Sequence, residues 1–268
     1  MKRWQSFFLV AVLVVSIFVY AGRDSLASLA WQKYRLPQVA IFFDRSNTEL
    51  AMFIGNYYFN GVIGSGEYNL DIAQKAYQKA VSINPKILWG HYQLARIYFV
   101  EGDYEKALEE IAEELKANPE NLRSLYVRGL IYGYRNQAGD LAKAEVDFQR
   151  FTEWAPSEWA GYNDLAWILS KEGKYAEAER ELEQAFENIS EGNKNPWLLT
   201  ALGVAKLNLK KYSRAVDSFK KAKELGEKLT IEEWRRSYPG NDPATNSEGL
   251  SAFLQAIDEN LRRAEGGR

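Results

Sequence analysis

Residues 89–121 read WGHYQLARIYFVEGDYEKALEEIAEELKANPEN, and this stretch predicts two short helices joined by a tight turn. Apolar residues from Tyr92 to Phe99 recur at the spacing of one helix face. Gly102-Asp103 interrupts that pattern. Asn118-Pro119 ends the second helix, because proline restricts the residue before it and cannot continue a helix. Neither helix can bury its apolar face alone, so the unit requires stacked copies of itself.

Copies of this unit recur along the chain. Asn84-Pro85 and Asn118-Pro119 lie 34 residues apart. The segment GDYEKA at 102–107 returns as GDLAKA, GKYAEA and KKYSRA, with a weaker earlier copy, YNLDIA. A helix–turn–helix period of this length is the signature of the tetratricopeptide repeat, and the chain resembles that family over roughly residues 50–225. The resemblance implies an all-α fold, a right-handed superhelical solenoid of about five repeats.

The resemblance also assigns repeat boundaries and packing positions. Repeats are expected near residues 54–87, 88–121, 122–158, 159–195 and 196–229, within a solenoid of residues 46–225. Small residues are expected where the two helices of each pair meet, at Gly61, Ala95, Gly129, Ala166 and Gly203. The second helices carry matching alanines, followed by the large residues Tyr77, Ile111, Phe148, Leu182 and Phe219.

Composition excludes several classes of function. The formal net charge is −2 with acidic and basic residues interleaved, and no block of lysine and arginine indicates nucleic-acid binding. The chain has no cysteine, which excludes disulfides and thiolate metal sites. Aromatic residues make up 14% of the chain, which suits a solenoid in which large rings fill the gaps between small helices.

The N-terminal segment predicts membrane attachment. Residues 4–22 carry no charge, and 19 residues in a helix extend about 28 Å, close to the hydrocarbon thickness of a bilayer. We interpret residues 1–22 as an uncleaved transmembrane signal anchor. A cleaved signal peptide and a buried core helix are the alternatives. The basic Lys2-Arg3 start favours a cytoplasmic N-terminus, so the protein is predicted to be single-pass with its repeats on the periplasmic or extracellular side.

Two segments flank the repeats. Residues 23–45 are predicted to form a partly helical linker. Ser46-Asn47-Thr48-Glu49 then resembles a capping box that starts the first repeat helix. Residues 61–66 are glycine-rich but lack phosphate-loop spacing, so they are interpreted as a turn. At the other end, residues 226–243 are predicted to be a loop, within which residues 230–236 can form a short helix. Residues 244–265 are predicted to form a helix that caps the solenoid, or alternatively folds back into its groove.

Catalytic and metal sites find no support in the sequence, and no cofactor is expected. His91 is the single histidine and falls at a position that the family fills with a packing residue. No Ser/His/Asp or Cys/His set can be assembled. The acidic residues Glu109, Glu110, Glu113 and Glu114 lie on a helix without a cation-binding loop and are interpreted as a solvated convex face.

A binding groove is the remaining candidate. In the family, the first helix of each pair lines the concave surface, which here presents Tyr58, Val62, Tyr92, Arg96, Phe99, Arg123, Tyr126, Leu130, Tyr134, Asn163, Asp164, Trp167 and Lys171. Rings and polar groups of this kind suit an extended peptide. The family's carboxylate-clamp positions hold Tyr58, Val62, Gln93, Arg123 and Val127, of which only the arginine matches.

The sequence therefore predicts a membrane-anchored scaffold that binds a protein or peptide partner in its groove and acts in envelope assembly, secretion or complex formation. The first alternative is a structural subunit that assembles with itself or within a membrane complex. The second is an accessory subunit of an enzyme. The identity of the partner and the oligomeric state are left open.

Overall fold

The computed structural model describes residues 8, 12, 14, 16, 19–61, 67–237 and 246–267, and the regular elements in these ranges are all helical. The chain divides into two compact units, residues 1–94 and 95–268. The division falls inside helix α5, Gly90–Glu101.

Unit 1 contains α1 Arg23–Gln32, α2 Pro37–Phe43, α3 Thr48–Asn56 with a π-helical turn at Tyr57–Gly61, and α4 Leu70–Ile83. Helices α3 and α4 form the first helix pair, and α2 packs on α4. Helix α1 contributes Trp31, whose buried ring packs edge-on against Phe53, Tyr57 and Tyr58. The segment predicted as a linker therefore supplies part of the core of unit 1.

The first helix pair has a different register from the predicted one. The glycine against the Tyr77 ring is Gly55, six residues before the predicted Gly61, and a Cβ at Gly55 would overlap that ring. The small and large residues are 16 apart in the repeat of Gly203 and Phe219, but 22 apart here. The connection between α3 and α4 is therefore about six residues longer than in that repeat, and the predicted turn at 61–66 falls mostly outside the described residues.

The start of α3 also differs from the predicted capping box. The N-cap is Asn47, whose side-chain oxygen accepts a hydrogen bond from the backbone N–H of Leu50 at 2.9 Å. The Ser46 hydroxyl instead donates to Asp24 Oδ2 at 2.8 Å. An asparagine serves at this position as well as serine does, so the helix starts one residue later than a Ser46 cap would place it.

Unit 2 continues the helix pairs. After α5 come α6 Tyr104–Ala117, α7 Arg123–Arg135, α8 Asp140–Trp154, α9 Trp159–Lys171, α10 Tyr175–Asn188, α11 Pro196–Asn208 and α12 Tyr212–Gly226. Consecutive helices pack on one another from α6 to α12, and the first helices α7, α9 and α11 also contact in series. The first helices thus form one continuous surface along the unit.

Where the two helices of a pair meet, the sizes of the two facing residues compensate for each other. Glycine stands against an aromatic ring at Gly129–Phe148 and Gly203–Phe219, as it does at Gly55–Tyr77. The equivalent positions in the other two repeats carry alanine and an aliphatic residue, Ala95 with Ile111 and Ala166 with Leu182, and all four are buried. Interiors are close-packed, so the larger ring requires the smaller partner.

The turns between paired helices repeat as well. Gly102, Gly139 and Gly173 adopt positive φ angles of 79°, 81° and 76°, and the equivalent Lys210 adopts 59°. This left-handed conformation favours glycine, because a Cβ there approaches the following carbonyl oxygen. The shared backbone of these four turns accounts for the recurring sequence motif.

Two further helices end unit 2, α13 Ile231–Arg236 and α14 Asn246–Gly266. Helix α13 lies within the segment predicted as a loop and begins with a capping box of Thr230 and Glu233. Helix α14 packs mainly on α12, where Ile257 and Ala264 join the core around Phe219. It covers the face that the last repeat would otherwise expose.

Two other predictions concern the N-terminal segment and the acidic face of α6. In the part of the chain that the structure describes, no helix has the length and apolar character needed to cross a membrane. Most of the predicted anchor, residues 4–22, lies outside that part. The interpretation of Glu114 as solvated is wrong: it is buried, and its Oε1 accepts hydrogen bonds from Asn118 and Asn121, at 3.1 and 2.8 Å.

Candidate functional site

A cavity of about 1060 Å³ runs along the first helices of unit 2. Successive first helices α7, α9 and α11 contribute most of its lining, and α13 and α14 close one side. The lining residues are Phe99, Val100, Tyr126, Leu130, Tyr134, Trp159, Ala160, Asn163, Asp164, Ala166, Trp167, Ser170, Trp197, Thr200, Ala201, Val204, Trp234, Ser237, Glu248, Gly249, Ala252 and Phe253. A concave, mostly apolar surface with a few polar groups is typical of a ligand site.

Three rings from successive first helices form a ladder on one side of the cavity. The Tyr134 ring lies 5.4 Å from that of Phe99, edge-on, and 5.0 Å from that of Trp167. Lys171 Nζ lies 4.7 Å from the Trp167 ring centroid and donates to the Gly133 carbonyl at 2.7 Å. The ring of Tyr134 is 55% exposed, so this ladder is supported by packing on its sides and open to a ligand.

A second aromatic cluster lies towards the C-terminal end. The rings of Trp159 and Trp197 stack at 4.8 Å, and Trp197 stacks in turn on Trp234 at 6.1 Å and on Phe253 at 5.9 Å. Trp197 is only 8% exposed, and its Nε1–H has no hydrogen-bond acceptor among the described residues. An unpaired buried N–H group is costly, which makes it a donor that a ligand carbonyl would satisfy.

Asp164 is the central polar group of the cavity. Its Oδ2 accepts from the Tyr126 hydroxyl at 2.7 Å, and its Oδ1 accepts from Asn163 Nδ2 at 2.9 Å. Burial raises the pKa of Asp164 to about 6, against the smaller lowering effect of the two hydrogen bonds. A carboxyl group with a strongly raised pKa inside a cavity is typical of functional sites.

The structure divides the predicted groove residues. Seven of them line the cavity, namely Phe99, Tyr126, Leu130, Tyr134, Asn163, Asp164 and Trp167. Arg96, Arg123 and Lys171 are not among the lining residues. Arg123 is exposed and pairs with Glu158 at 3.1 Å, and Lys171 is held by the Gly133 carbonyl.

Tyr58 and Tyr92 belong to unit 1. Tyr92 packs edge-on against Trp89 at 5.1 Å. Tyr58 is 6% exposed, and burial, followed by the charge of Glu67, raises its pKa to about 12. The residue at the contact between the paired helices is Gly55, which precedes Tyr58, and not Gly61, which follows it. This change of register explains why the Tyr58 ring is buried. Tyr58 therefore leaves the set of proposed binding residues.

Sequence reasoning missed the second aromatic cluster, Trp159, Trp197, Trp234 and Phe253. Trp159 and Trp197 stand at the starts of two consecutive first helices, and this recurrence was a usable signal. Trp234 and Phe253 reach the cavity because α13 and α14 lie beside it, which the repeat period does not encode. In the described ranges no group of three or more His, Cys, Asp or Glu side chains could hold a metal ion.

In unit 2, helix pairs stacked in series with a cavity along their first helices define an α-helical solenoid. Protein-family models described as tetratricopeptide repeat match residues 76–109, 160–189 and 198–227 of the sequence. The chain therefore carries tetratricopeptide repeats, and this part of the sequence prediction is confirmed.

Known proteins share parts of this architecture. The photosystem I assembly protein Ycf3 of Acaryochloris marina is 26% identical over 106 residues, which cover 38% of this chain and 64% of Ycf3. The match thus spans less than two thirds of the curated relative. The crystal structure of PilW, a type IV pilus biogenesis factor, has a TM-score of 0.57 at 17% identity and covers 80% of this chain and 96% of its own.

A second similar structure is that of YrrB, described as a tetratricopeptide protein with an unusual peptide-binding site. Its TM-score is 0.53 at 18% identity, with coverage of 72% of this chain and 93% of YrrB. At these identities the two solved structures show a shared fold.

Proposed function

We propose that the protein is a scaffold that binds an extended segment of a partner protein in the cavity of unit 2. The observation that carries this proposal is the row of partly accessible rings contributed by successive first helices, ending at a wall made by α13 and α14. Large, rigid rings supply contact area at low entropic cost and dominate the energy of many protein interfaces.

The polar groups of the cavity suit the backbone of such a segment. The unpaired Nε1–H of Trp197 can donate to a peptide carbonyl, and the Asn163 side chain offers both a donor and an acceptor. Spacing between rings along the groove selects side chains, whereas these polar groups recognise main chain. YrrB shares this fold and is described as having an unusual peptide-binding site, which supports a peptide ligand here.

An assembly role is the biological context that we favour. Ycf3 is described as a photosystem I assembly protein and PilW as a type IV pilus biogenesis factor. A scaffold in such a role holds one component while another joins it. We keep envelope assembly or secretion as the proposed process, and complex formation as its general form.

Membrane attachment through residues 4–22 is also part of the proposal, on the strength of their length and lack of charge. Alkaline extraction of membranes from expressing cells should leave the full-length chain in the pellet, and external protease should reach the repeats. A mature N-terminus at residue 22 or 28, measured by mass spectrometry, would instead establish a cleaved signal peptide.

Binding itself is tested with peptides selected from a random display library on the detergent-solubilised full-length chain. Calorimetry with a selected peptide should give affinities at least tenfold weaker for Tyr134→Ala, because a central aromatic contact contributes more than about 1.4 kcal/mol. The matched control is Trp154→Ala, since Trp154 is also half-exposed at 47% but does not line the cavity. Equal affinities for the two variants would reject the cavity as the binding site.

A further inference from the structure

Asp164 is a carboxylate that has no counter-charge among the residues that the structure describes. Its two hydrogen bonds come from neutral donors, Tyr126 and Asn163, and it takes part in no ion pair with another residue that the structure describes. A carboxylate offers about four acceptor positions, so roughly half of its capacity is unused. Another buried carboxylate of unit 2 does have a counter-charge. Asp147 of α8 accepts two hydrogen bonds from the Arg128 guanidinium of α7, at 2.7 and 2.8 Å.

The surroundings of Asp164 attract positive charge. None of the described residues lining the cavity is a lysine or arginine, while Glu248 of α14 contributes a second carboxyl group. The lining also includes several aromatic rings, and the face of such a ring favours cations through its negative potential. Trp167 demonstrates this locally, since it already attracts the Lys171 ammonium to 4.7 Å from its centroid.

We propose that Asp164 and the neighbouring rings form a subsite for a lysine or arginine side chain of the bound partner segment. The inference rests on the proposed function and adds the chemistry of one ligand residue. A guanidinium or ammonium group would complete the hydrogen bonding of the carboxylate, and its stem would pack against the rings. An acidic ligand residue at the same place would be repelled.

Energetics favour this occupant over a neutral one. A charged group held away from water without a partner is destabilised, and an incoming opposite charge recovers that loss as binding energy. Tyr126 and Asn163 fix the orientation of the carboxylate before the ligand arrives, which lowers the entropic cost of binding. The residue preferred at this subsite is therefore set by charge, whereas the ring ladder requires only size and shape.

The test compares peptide libraries selected in parallel on full-length wild-type protein, on Asp164→Asn and on Glu153→Gln. Glu153 is an exposed carboxylate of α8 outside the cavity, so Glu153→Gln is the matched control. Wild-type protein and Glu153→Gln should enrich lysine or arginine at one fixed distance from an aromatic residue, and Asp164→Asn should lose that enrichment.

A thermodynamic cycle makes the test of the Asp164 subsite quantitative. In the best selected peptide, replacing the basic residue with citrulline or norleucine should weaken binding to wild-type protein at least tenfold and to Asp164→Asn less than twofold. The tenfold loss is measured on wild-type protein, so this half of the cycle does not depend on how the variant folds. Equal losses on both proteins would overturn the inference.

The possible failures are distinguishable. Peptides whose binding needs Tyr134 but shows no preference for a basic residue would overturn this inference and leave the proposed function in place. Selected peptides that bind Tyr134→Ala as tightly as wild-type protein would overturn the proposed function and the inference with it. A failure to select any peptide would do the same.

Discussion

Tyr58 and Tyr134 are both tyrosines that the sequence assigns to one groove, yet the two units use them differently. In unit 1, the Tyr58 ring is enclosed by Trp31 and Tyr57 and is 6% exposed. In unit 2, the Tyr134 ring touches Phe99 and Trp167 only on its sides and is 55% exposed. The difference follows from where each ring stands relative to the small residue of its helix pair, so register decides whether an aromatic residue becomes core or surface.

The largest expected effect tests this contrast directly. Tyr58→Ala should lower the free energy of unfolding of unit 1 by about 3–5 kcal/mol, because a large buried ring is lost and a cavity remains. Tyr134→Ala should change the stability of unit 2 by less than about 1 kcal/mol. Urea unfolding followed by circular dichroism measures both. Comparable losses for the two variants would remove the distinction between core and groove tyrosines.

A smaller effect tests the register that underlies the contrast. Gly203→Ala should cost about 1–3 kcal/mol, because the new methyl group collides with the Phe219 ring. Adding Phe219→Leu recreates the alanine–leucine pair of Ala166 and Leu182, so the double variant should be more stable than additivity predicts by at least about 0.5 kcal/mol.

The same cycle applies to unit 1 with Gly55→Ala and Tyr77→Leu. It should show coupling of the same sign, since Gly55 lies against the Tyr77 ring as Gly203 lies against Phe219. If Tyr77→Leu were coupled to Gly61→Ala and not to Gly55→Ala, the result would support the predicted register, in which Gly61 faces Tyr77.

A further effect concerns titration, since each unit holds an ionisable group with a raised pKa. That of Tyr58 is about 12, outside the physiological range, whereas that of Asp164 is about 6. The folded state thus holds the Asp164 proton more tightly than the unfolded chain, whose aspartate has a pKa of 3.8. The stabilisation is complete below pH 3.8 and is lost as the pH rises through 6.

The measurement is the urea midpoint of wild-type protein and Asp164→Asn between pH 4 and 7.5. Wild-type protein should lose on the order of 2 kcal/mol relative to the variant over this range, because one pKa unit corresponds to about 1.4 kcal/mol. Among the described residues that line the cavity, Tyr126, Tyr134 and Glu248 are the titratable ones besides Asp164. Parallel pH profiles for the two proteins would show that Asp164 titrates as it does in the unfolded chain.

Local signals in the sequence were sufficient for most of the helix pairs. The turn motif that begins at Gly102 recurs with the same left-handed backbone at Gly139, Gly173 and Lys210, so its spacing identifies the pairs without reference to tertiary structure. The first helix pair departs from this spacing because the connection between α3 and α4 is longer. Two glycines, Gly55 and Gly61, were both compatible with the pattern, and only the packing of Tyr77 distinguishes them.

The candidate site was predictable in part for the same reason. Phe99, Tyr134 and Trp167 all lie on first helices, although at different positions of the repeat, and their shared surface follows from the stacking of those helices. The wall of Trp234 and Phe253 depends on how the chain returns after α12, a long-range arrangement with no periodic signal. The paired state of Arg123 was equally invisible, since it depends on Glu158 at the start of the next repeat.

Helix α14 packs its middle and C-terminal half on α12 and turns Glu248, Gly249, Ala252 and Phe253 towards the cavity. The end of a solenoid is where local unfolding costs least, because a terminal element has a neighbour on one side only. A ligand that touches both α9 and α14 ties the terminal helix to an inner repeat. Ligand binding and fraying of this end are thus reciprocal: each disfavours the other by the same factor, and protection of the α14 amides from hydrogen exchange reports on occupancy of the cavity.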